Sequence, residues 1–136
     1  MGGGYLNEDV QGSVMGVISG RRGYKENGRS KYRVGDIEVH ARFCSTDAKG
    51  LPKFKFNMNP NTLSADYGLW ICGRADSYYL IPVRIISTMY SHPDAYVDRH
   101  HQEIRVVSLD TLCHRATYAI GGTAVDISLY HRVLLP

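Results

Sequence analysis

Apolar and polar residues alternate with a period of two along much of the chain, a pattern typical of β-strands with one buried face. The clearest example is DIEVHARF at 36–43, where every second residue from Ile37 is apolar. A second alternating stretch, KFKFNMN at 53–59, follows the predicted turn STDAKGLP at 45–52. We expect these two strands to pair, which places five polar side chains on one face of the sheet: Glu38, His40, Arg42, Lys53 and Lys55.

The second half of the chain adds further strands and two short helices. YGLWICG at 67–73 is an almost unbroken apolar run, which predicts a central strand covered on both faces. YYLIP predicts the next strand, and the helical spacing of apolar residues in VRIISTMY at 83–90 predicts a short helix. EIRVVSL and RATYAI indicate two later strands, and Asp126 is placed to cap a final short helix at ISLYHRVL.

The first third of the chain is rich in glycine and offers weaker signals. Residues 1–12 are expected to form a flexible segment and GSVMGVISG at 12–20 a short strand, so that no helix precedes residue 35. Asn27-Gly28, in the basic stretch that follows, is a strong turn signal and predicts a hairpin tip. The sequence as a whole predicts one α/β or α+β domain over 1–136, with a single mixed central β-sheet and a few short helices.

Composition narrows the class of protein. A chain that is 43% hydrophobic and 21% charged is typical of a folded globular protein and excludes intrinsic disorder. No apolar run approaches the roughly 20 residues that span a bilayer, and the first residues lack the basic and apolar blocks of a signal peptide. Three cysteines without a C-x-x-C spacing favour a reduced, cytoplasmic protein over a disulfide scaffold or a zinc ribbon.

The net charge of +3 is unevenly distributed along the sequence. Residues 21–55 hold ten Lys and Arg against four acids, a local charge of +6, whereas 56–136 hold six bases against seven acids. Such a concentration of positive charge suits an anionic partner, and we expect nucleic acid, with DNA favoured. The expected nucleic-acid-binding residues are Arg21, Arg22, Lys25, Arg29, Lys31, Arg33, Arg42, Lys53 and Lys55.

Four segments in order, IEVHARF, FKFNMN, ADYGLWICG and DSYYLIP, resemble the PD-(D/E)XK, or restriction-endonuclease-like, superfamily. In that family a strand of the type (E/Q)-V-K-(T/S) is followed by a basic loop and an F-x-F-N-like strand. A buried strand introduced by Asp and an aromatic residue comes next, and then a strand that ends in Ile-Pro. The resemblance covers roughly residues 34–90 and implies a restriction-endonuclease-like core.

The resemblance implies a nuclease that hydrolyses phosphodiesters with Mg²⁺. Glu38 would be the carboxylate ligand, and His40 would stand where the family has a lysine that serves the attacking water. An imidazole can act as a base near neutral pH. A second acid, Asp36 or Asp66, would complete the catalytic and metal site. The stretch GRRGYKENGRSKYRVG, just upstream of this strand, offers only Glu26 as the family's first acid. This leaves open a catalytically degenerate protein that binds nucleic acid without cutting it.

Two other strings carry alternative nuclease hypotheses. Pro93-Asp94 followed by Glu103-Ile104-Arg105 matches P-D…E-x-R literally, but an arginine stays protonated and is a poor base. DRHHQ with TLCHR faintly resembles HNH nucleases, with His100 or His101 as the base and His114 as a metal ligand.

A different class of function is a non-enzymatic protein-interaction or self-associating β-rich module. In that case the charge at 21–55 would belong to a solvated hairpin. The small size and the expected lack of an N-terminal helix also predict a homodimer.

Overall fold

In the part of the chain that the structure describes, the fold consists of two α-helices and ten strands. A computed structural model describes residues 3–45 and 52–136, so most of the turn predicted at 45–52 lies outside the described residues. The helices are α1 (Gly3–Ser19) and α2 (Val83–Tyr90). The strands are β1 (Lys25–Glu26), β2 (Lys31–Val34), β3 (Ile37–Cys44), β4 (Lys53–Met58), β5 (Tyr67–Cys72), β6 (Tyr78–Pro82), β7 (Tyr96–Val97), β8 (Arg105–Asp110), β9 (Arg115–Ala119) and β10 (Thr123–Asp126).

The strands form two sheets. In the first sheet the order is β1-β2-β3-β5-β6, with β3 and β5 parallel and the other neighbours antiparallel. In the second sheet the order is β10-β9-β8-β4, all antiparallel, and β7 joins β8 beside β9. The predicted α+β class is confirmed, with two sheets in place of the one expected.

Two apolar cores hold the layers together, one on each face of the first sheet. On one face, Val14, Met15 and Ile18 of α1 pack against apolar side chains of β2, β3, β5 and β6. On the other face, Trp70 and its neighbours pack against the second sheet and α2. The central strand β5 therefore has apolar side chains in both cores and is buried from Gly68 to Cys72, as its unbroken apolar run predicts.

The prediction for the N-terminal segment is wrong, because α1 is a helix over residues that the sequence analysis gave to a flexible segment and a strand. Val10, Val14 and Ile18 recur every four residues and so share one face of the helix, which packs on the first sheet. The glycines at 12 and 16 lower helix propensity and hide this signal. A helix thus does precede residue 35.

The predicted pairing of the strands at 36–43 and 53–59 is also wrong. β3 lies between β2 and β5 in the first sheet, whereas β4 is an edge strand of the second sheet and pairs with β8. Phe54, Phe56 and Met58 turn towards the core, so Lys53 and Lys55 project from the outer face of the second sheet. The five polar residues expected on one face are therefore divided between two surfaces.

The remaining elements mostly follow the sequence. α2 spans the predicted residues 83–90, and the strands expected around YYLIP, EIRVVSL and RATYAI are all present. The predicted final helix is only a 3₁₀ turn at Ser128–Tyr130, and its N-cap is Ile127 rather than the predicted Asp126. Asp126 lies one residue earlier and accepts a hydrogen bond from Ser128 N at 2.8 Å. Among the described residues, no helix is long and apolar enough to cross a membrane.

Candidate functional site

Polar side chains from three neighbouring strands form rows across one face of the first sheet. Lys25 lies opposite Arg33 and Arg33 opposite Glu38, while Lys31 lies opposite His40. Because directly opposed residues project to the same side of a sheet, these side chains share one face. We call this surface the cationic face; its members are Lys25, Lys31, Arg33, Glu38, His40 and Arg42.

The hairpin that carries the cationic face is well exposed and adds further charge. Gly28 turns the chain between β1 and β2 with a φ of 113°, a conformation that suits glycine. Arg21, Arg22 and Arg29 lie at the ends of this hairpin and are exposed. Tyr24 is 39% exposed and packs edge-on against Tyr32 at 5.6 Å between ring centroids, on the α1 side of the sheet and so on the face opposite to these cations.

A polar cleft opens where β3 continues beyond the end of β2. Its volume is about 300 Å³, and we call it the His40 cleft; its polar lining comes from Asn7, Gln11, Arg29, Ser30, His40 and Arg42. Gln11 is buried and fixes one wall, since its amide nitrogen donates to Asn7 Oδ1 at 2.6 Å and to Ser30 Oγ at 3.1 Å. Its amide oxygen accepts from the Tyr32 hydroxyl at 2.9 Å. The wall is thus preformed.

Arg42 lies at the inner side of this cleft, between the two sheets. Its guanidinium donates to the carbonyl of Asn57 on β4 at 3.1 Å and so ties the second sheet to β3. Burial lowers the pKa of Arg42 from its ordinary value. A guanidinium keeps its charge even so, and Arg42 provides positive charge in a partly desolvated place.

His40 is neutral at physiological pH. Burial, followed by the positive charges of Arg42 and Lys31, lowers the pKa of its imidazole to about 4. A neutral imidazole offers one N–H donor and one nitrogen acceptor. It can therefore hydrogen-bond a ligand, but a pKa this low makes it a weaker base than the sequence predicts.

The structure brings together only part of the predicted catalytic set. Glu38 and His40 line the same small cavity of about 30 Å³, with Lys31 and Ser64. Asp66 Oδ2 accepts a hydrogen bond from Glu38 N at 2.8 Å, and Asp66 N donates to Glu38 O at 2.9 Å. Asp36 is exposed in the β2–β3 turn and lines a second, open cleft together with Asp66, whereas Glu38 and His40 do not line that cleft.

The carboxylates in this arrangement do not fit a Mg²⁺ centre well. Mg²⁺ needs oxygen ligands that are free to coordinate it. The Glu38 carboxylate instead pairs with Arg33 at 2.5 Å, and one Asp66 oxygen is taken up by the β3 backbone. Lys31, on the neighbouring strand, lines the same small cavity as Glu38. Within residues 3–45 and 52–136, no group of three or more His, Cys, Asp or Glu side chains is placed to hold a metal ion.

The histidines of the HNH-like hypothesis have separate hydrogen-bond partners. His100 and His101 donate their backbone N–H groups to Asp98 Oδ1 at 2.9 and 3.1 Å, in the loop before β8. His114 instead bonds the Tyr79 hydroxyl at 2.6 Å and stacks on His131 at 4.6 Å between ring centroids. In the P-D…E-x-R string, Arg105 donates hydrogen bonds to the carbonyls of Gln102 and Ile104, so its contacts stay within its own loop.

Sequence reasoning missed the residues that build the His40 cleft from α1. Asn7 and Gln11 are separated by four residues and belong to one helix face. The four-residue spacing of the apolar residues at 10, 14 and 18 is the signal that could have located this helix and, with it, the polar residues beside that apolar stripe.

No family model, curated protein or solved structure matches this chain. The cationic face and the His40 cleft are the features of this chain that indicate a function.

Proposed function

We propose that this protein binds nucleic acid through the cationic face and the His40 cleft. The observation that carries the proposal is the register of β1, β2 and β3, which aligns Lys25, Lys31 and Arg33 in exposed cross-strand positions beside His40. Nucleic acids bind largely through phosphate contacts with Lys and Arg. A rigid antiparallel hairpin holds such cations at fixed spacing.

The His40 cleft adds chemistry that suits a phosphodiester. Arg29 and Arg42 both line it, and a guanidinium can donate two parallel hydrogen bonds to a phosphate. Ser30 and the neutral His40 supply additional uncharged hydrogen-bonding groups. DNA is the favoured ligand, with RNA the comparison.

The same geometry favours binding without cleavage. Arg33 neutralises Glu38, the carboxylate that a nuclease would use for its metal, and Lys31 faces His40 from the opposing strand. These contacts support a catalytically degenerate form of the resemblance to restriction-endonuclease-like proteins. Mg²⁺-dependent hydrolysis through Glu38, Asp66 and His40 is the competing outcome, and it is measured in the same samples.

The test is binding of labelled single- and double-stranded DNA and RNA at several salt concentrations. About six phosphate contacts would weaken binding by orders of magnitude between roughly 50 and 200 mM salt. Lys31→Gln with Arg33→Gln should lower the salt dependence by about one contact per residue. Arg74→Gln is the matched control, because Arg74 is exposed on the β5–β6 turn and paired with Asp76. Failure of every nucleic acid to bind would overturn the proposal.

Cleavage is followed with Mg²⁺ or Mn²⁺ in the native protein, Glu38→Ala and His40→Ala. We expect binding without product. Product that disappears in both variants would instead assign metal-dependent hydrolysis to this strand.

Self-association is the second candidate function. Leu112 and Leu129 are 81% and 80% exposed, on turns joined by the hydrogen bond from Ile127 N to His114 O. The homodimer was predicted partly because no N-terminal helix was expected. Since α1 is present, that reason no longer applies. Equilibrium sedimentation decides the matter: a species of 15.2 kDa alone would rule out the homodimer.

We also propose that the protein resides in the reducing cytoplasm, where its three cysteines, all free, would stay reduced.

A further inference from the structure

A small cavity lies directly behind His40, between the two sheets. Its volume is about 20 Å³, enough for one atom the size of a water oxygen. We call it the Trp70 cavity; the residues that matter for its chemistry are His40, Arg42, Ser64, Gly68, Trp70 and Ile86.

The cavity contains a polar group without a partner. Trp70 is fully buried, stacked on Phe56 at 4.6 Å between ring centroids, and its indole N–H makes no hydrogen bond within the described residues. A buried donor left unsatisfied costs about 1–3 kcal/mol. Such donors are rare in folded proteins, and each calls for an acceptor.

The lack of a side chain at Gly68 lets Ile86 and the Trp70 indole pack close to the β5 backbone, where they form one wall of the cavity. Gly68 lies opposite His40 in the parallel register, and a Cβ there would be 3.5 Å from Trp70 Nε1. The same Cβ would approach Ile86 Cδ1 to 2.2 Å, so Ile86 closes the cavity above the glycine. The indole N–H, the imidazole and the glycine backbone thus surround one opening.

The polar groups around the cavity are mainly hydrogen-bond donors. The Trp70 indole and the Arg42 guanidinium can only donate, and Arg42 carries a positive charge. Lys31 stands on the outer side of His40 and adds a second positive charge. Positive charge and an unused donor together select an anionic acceptor, because water alone would leave the charge uncompensated.

We propose that the Trp70 cavity receives one oxygen atom of a phosphate group, with Trp70 Nε1 and Arg42 as its donors. The rest of the phosphate stays at the mouth, where His40 and Ser64 can hydrogen-bond it. This inference rests on the proposed function in that it assigns one backbone or terminal phosphate of the nucleic acid to this subsite. Inorganic phosphate carries the same chemistry and tests the cavity alone.

Trp70 is the only tryptophan of the chain, so its own signals report on the cavity. In a ¹⁵N-correlated NMR spectrum a single indole N–H peak is expected. Titration with inorganic phosphate, at constant ionic strength with chloride as the balancing anion, should move this peak downfield in a saturable way. Tryptophan fluorescence should change over the same concentration range. A peak that responds no more to phosphate than to chloride would overturn the inference.

Variants separate the cavity from general charge. Arg42→Gln should weaken the phosphate response about tenfold or more, the value of one charge-assisted hydrogen bond. Arg74→Gln removes the same charge on the β5–β6 turn and should change nothing.

An oligonucleotide with and without a 5′-phosphate distinguishes the two proposals. Binding that moves the indole peak supports both, and a shift only with the 5′-phosphate assigns the subsite to a chain end. Binding that leaves the peak in place keeps the proposed function and overturns the phosphate subsite. A response to inorganic phosphate without binding of any oligonucleotide supports the phosphate subsite and overturns the proposed function.

Discussion

At the scale of single residues, His40 shows how a side chain acquires its properties from its neighbours. It occupies an ordinary alternating position of β3, yet burial and two nearby cations keep its imidazole neutral. The lysine of the resembling family would carry a charge at this position. A neutral group between Lys31 and Arg42 avoids placing three cations side by side.

His40 should make stability depend on pH. Its pKa is about 4 in the folded protein against 6.5 for the free side chain, so the unfolded chain binds the proton more readily. The contribution of His40 is fully present above pH 6.5 and is lost as the pH falls towards 4. After allowance for partial exposure, the loss should be about 1–2 kcal/mol. Urea unfolding across this range should show a smaller decline in His40→Gln, and equal declines would contradict the assignment.

Asp66 should matter for stability more than Asp36, although the sequence treats them as equivalent candidates. Asp66 exchanges two hydrogen bonds with the backbone of Glu38 and so fixes the start of β5 beside β3. Asp66→Ala should reduce the free energy of unfolding by about 1–3 kcal/mol, because it leaves a backbone donor without its partner. Asp36→Ala, in an exposed turn, is the matched control and should change it by less than about 0.5 kcal/mol. Equal losses, measured by urea unfolding, would show that the bond to Glu38 contributes nothing.

At the scale of secondary-structure elements, the β1–β2 hairpin sets the register that creates the cationic face. Lys31 N donates to Gly28 O at 3.1 Å and Asn27 N to Lys31 O at 2.7 Å, which closes the turn. A shift of one residue in this pairing would turn Lys31 and Arg33 to the α1 side of the sheet. The turn therefore controls the site although it lies outside the His40 cleft.

Replacing the turn glycine should test this control. Gly28→Ala places a Cβ on a residue with a φ of 113° and should destabilise the protein by about 1–2 kcal/mol. Gly16→Ala is the control, since a Cβ there meets no atom within 4 Å and a helical alanine should stabilise α1 by about 0.5–1 kcal/mol. Thermal unfolding measures both. Similar stability changes in the two variants would mean that the strained turn conformation does not form.

At the scale of the whole molecule, the two sheets distribute the basic residues over separate surfaces. Lys25, Lys31 and Arg33 lie on the first sheet, whereas Lys53 and Lys55 project from the outer face of the second. Lys55 faces a different cleft of about 430 Å³, which also includes Arg99 and His100. A ligand bound at the His40 cleft therefore need not contact the cleft beside Lys55.

Charge removal on each sheet should therefore have different effects on binding. Lys31→Gln with Arg33→Gln should lower the slope of binding against salt by about two contacts, whereas Lys53→Gln with Lys55→Gln should lower it by less than about one. Both pairs remove the same charge, so each is the control for the other. Equal losses of slope would mean that nucleic acid spans both sheets and that Lys53 and Lys55 belong to the interface.

Short sequence patterns predicted several elements correctly, because burial of one strand face and the geometry of a turn depend on residues that are close together in the chain. The alternation in β3 and the apolar run of β5 follow from burial of one face or of both, and α2 follows from its 3.6-residue spacing. Asn27-Gly28 marks the hairpin because the turn needs a positive φ. The site was predictable to the same extent: Glu38 and His40 could be placed on one face of β3, and the basic residues on one hairpin.

The sequence by itself thus determined the α+β class, most strands, the excess of positive charge at 21–55 and the shared face of Glu38, His40 and Arg42. Only the tertiary structure decided that β4 pairs with β8 in the second sheet, that α1 supplies a wall of the His40 cleft, and that Trp70 and His40 line one small cavity. The physical reason is that periodicity specifies which side of a strand is buried. Which element packs on that buried side depends on contacts between residues far apart in the chain, and a local sequence pattern does not specify these contacts.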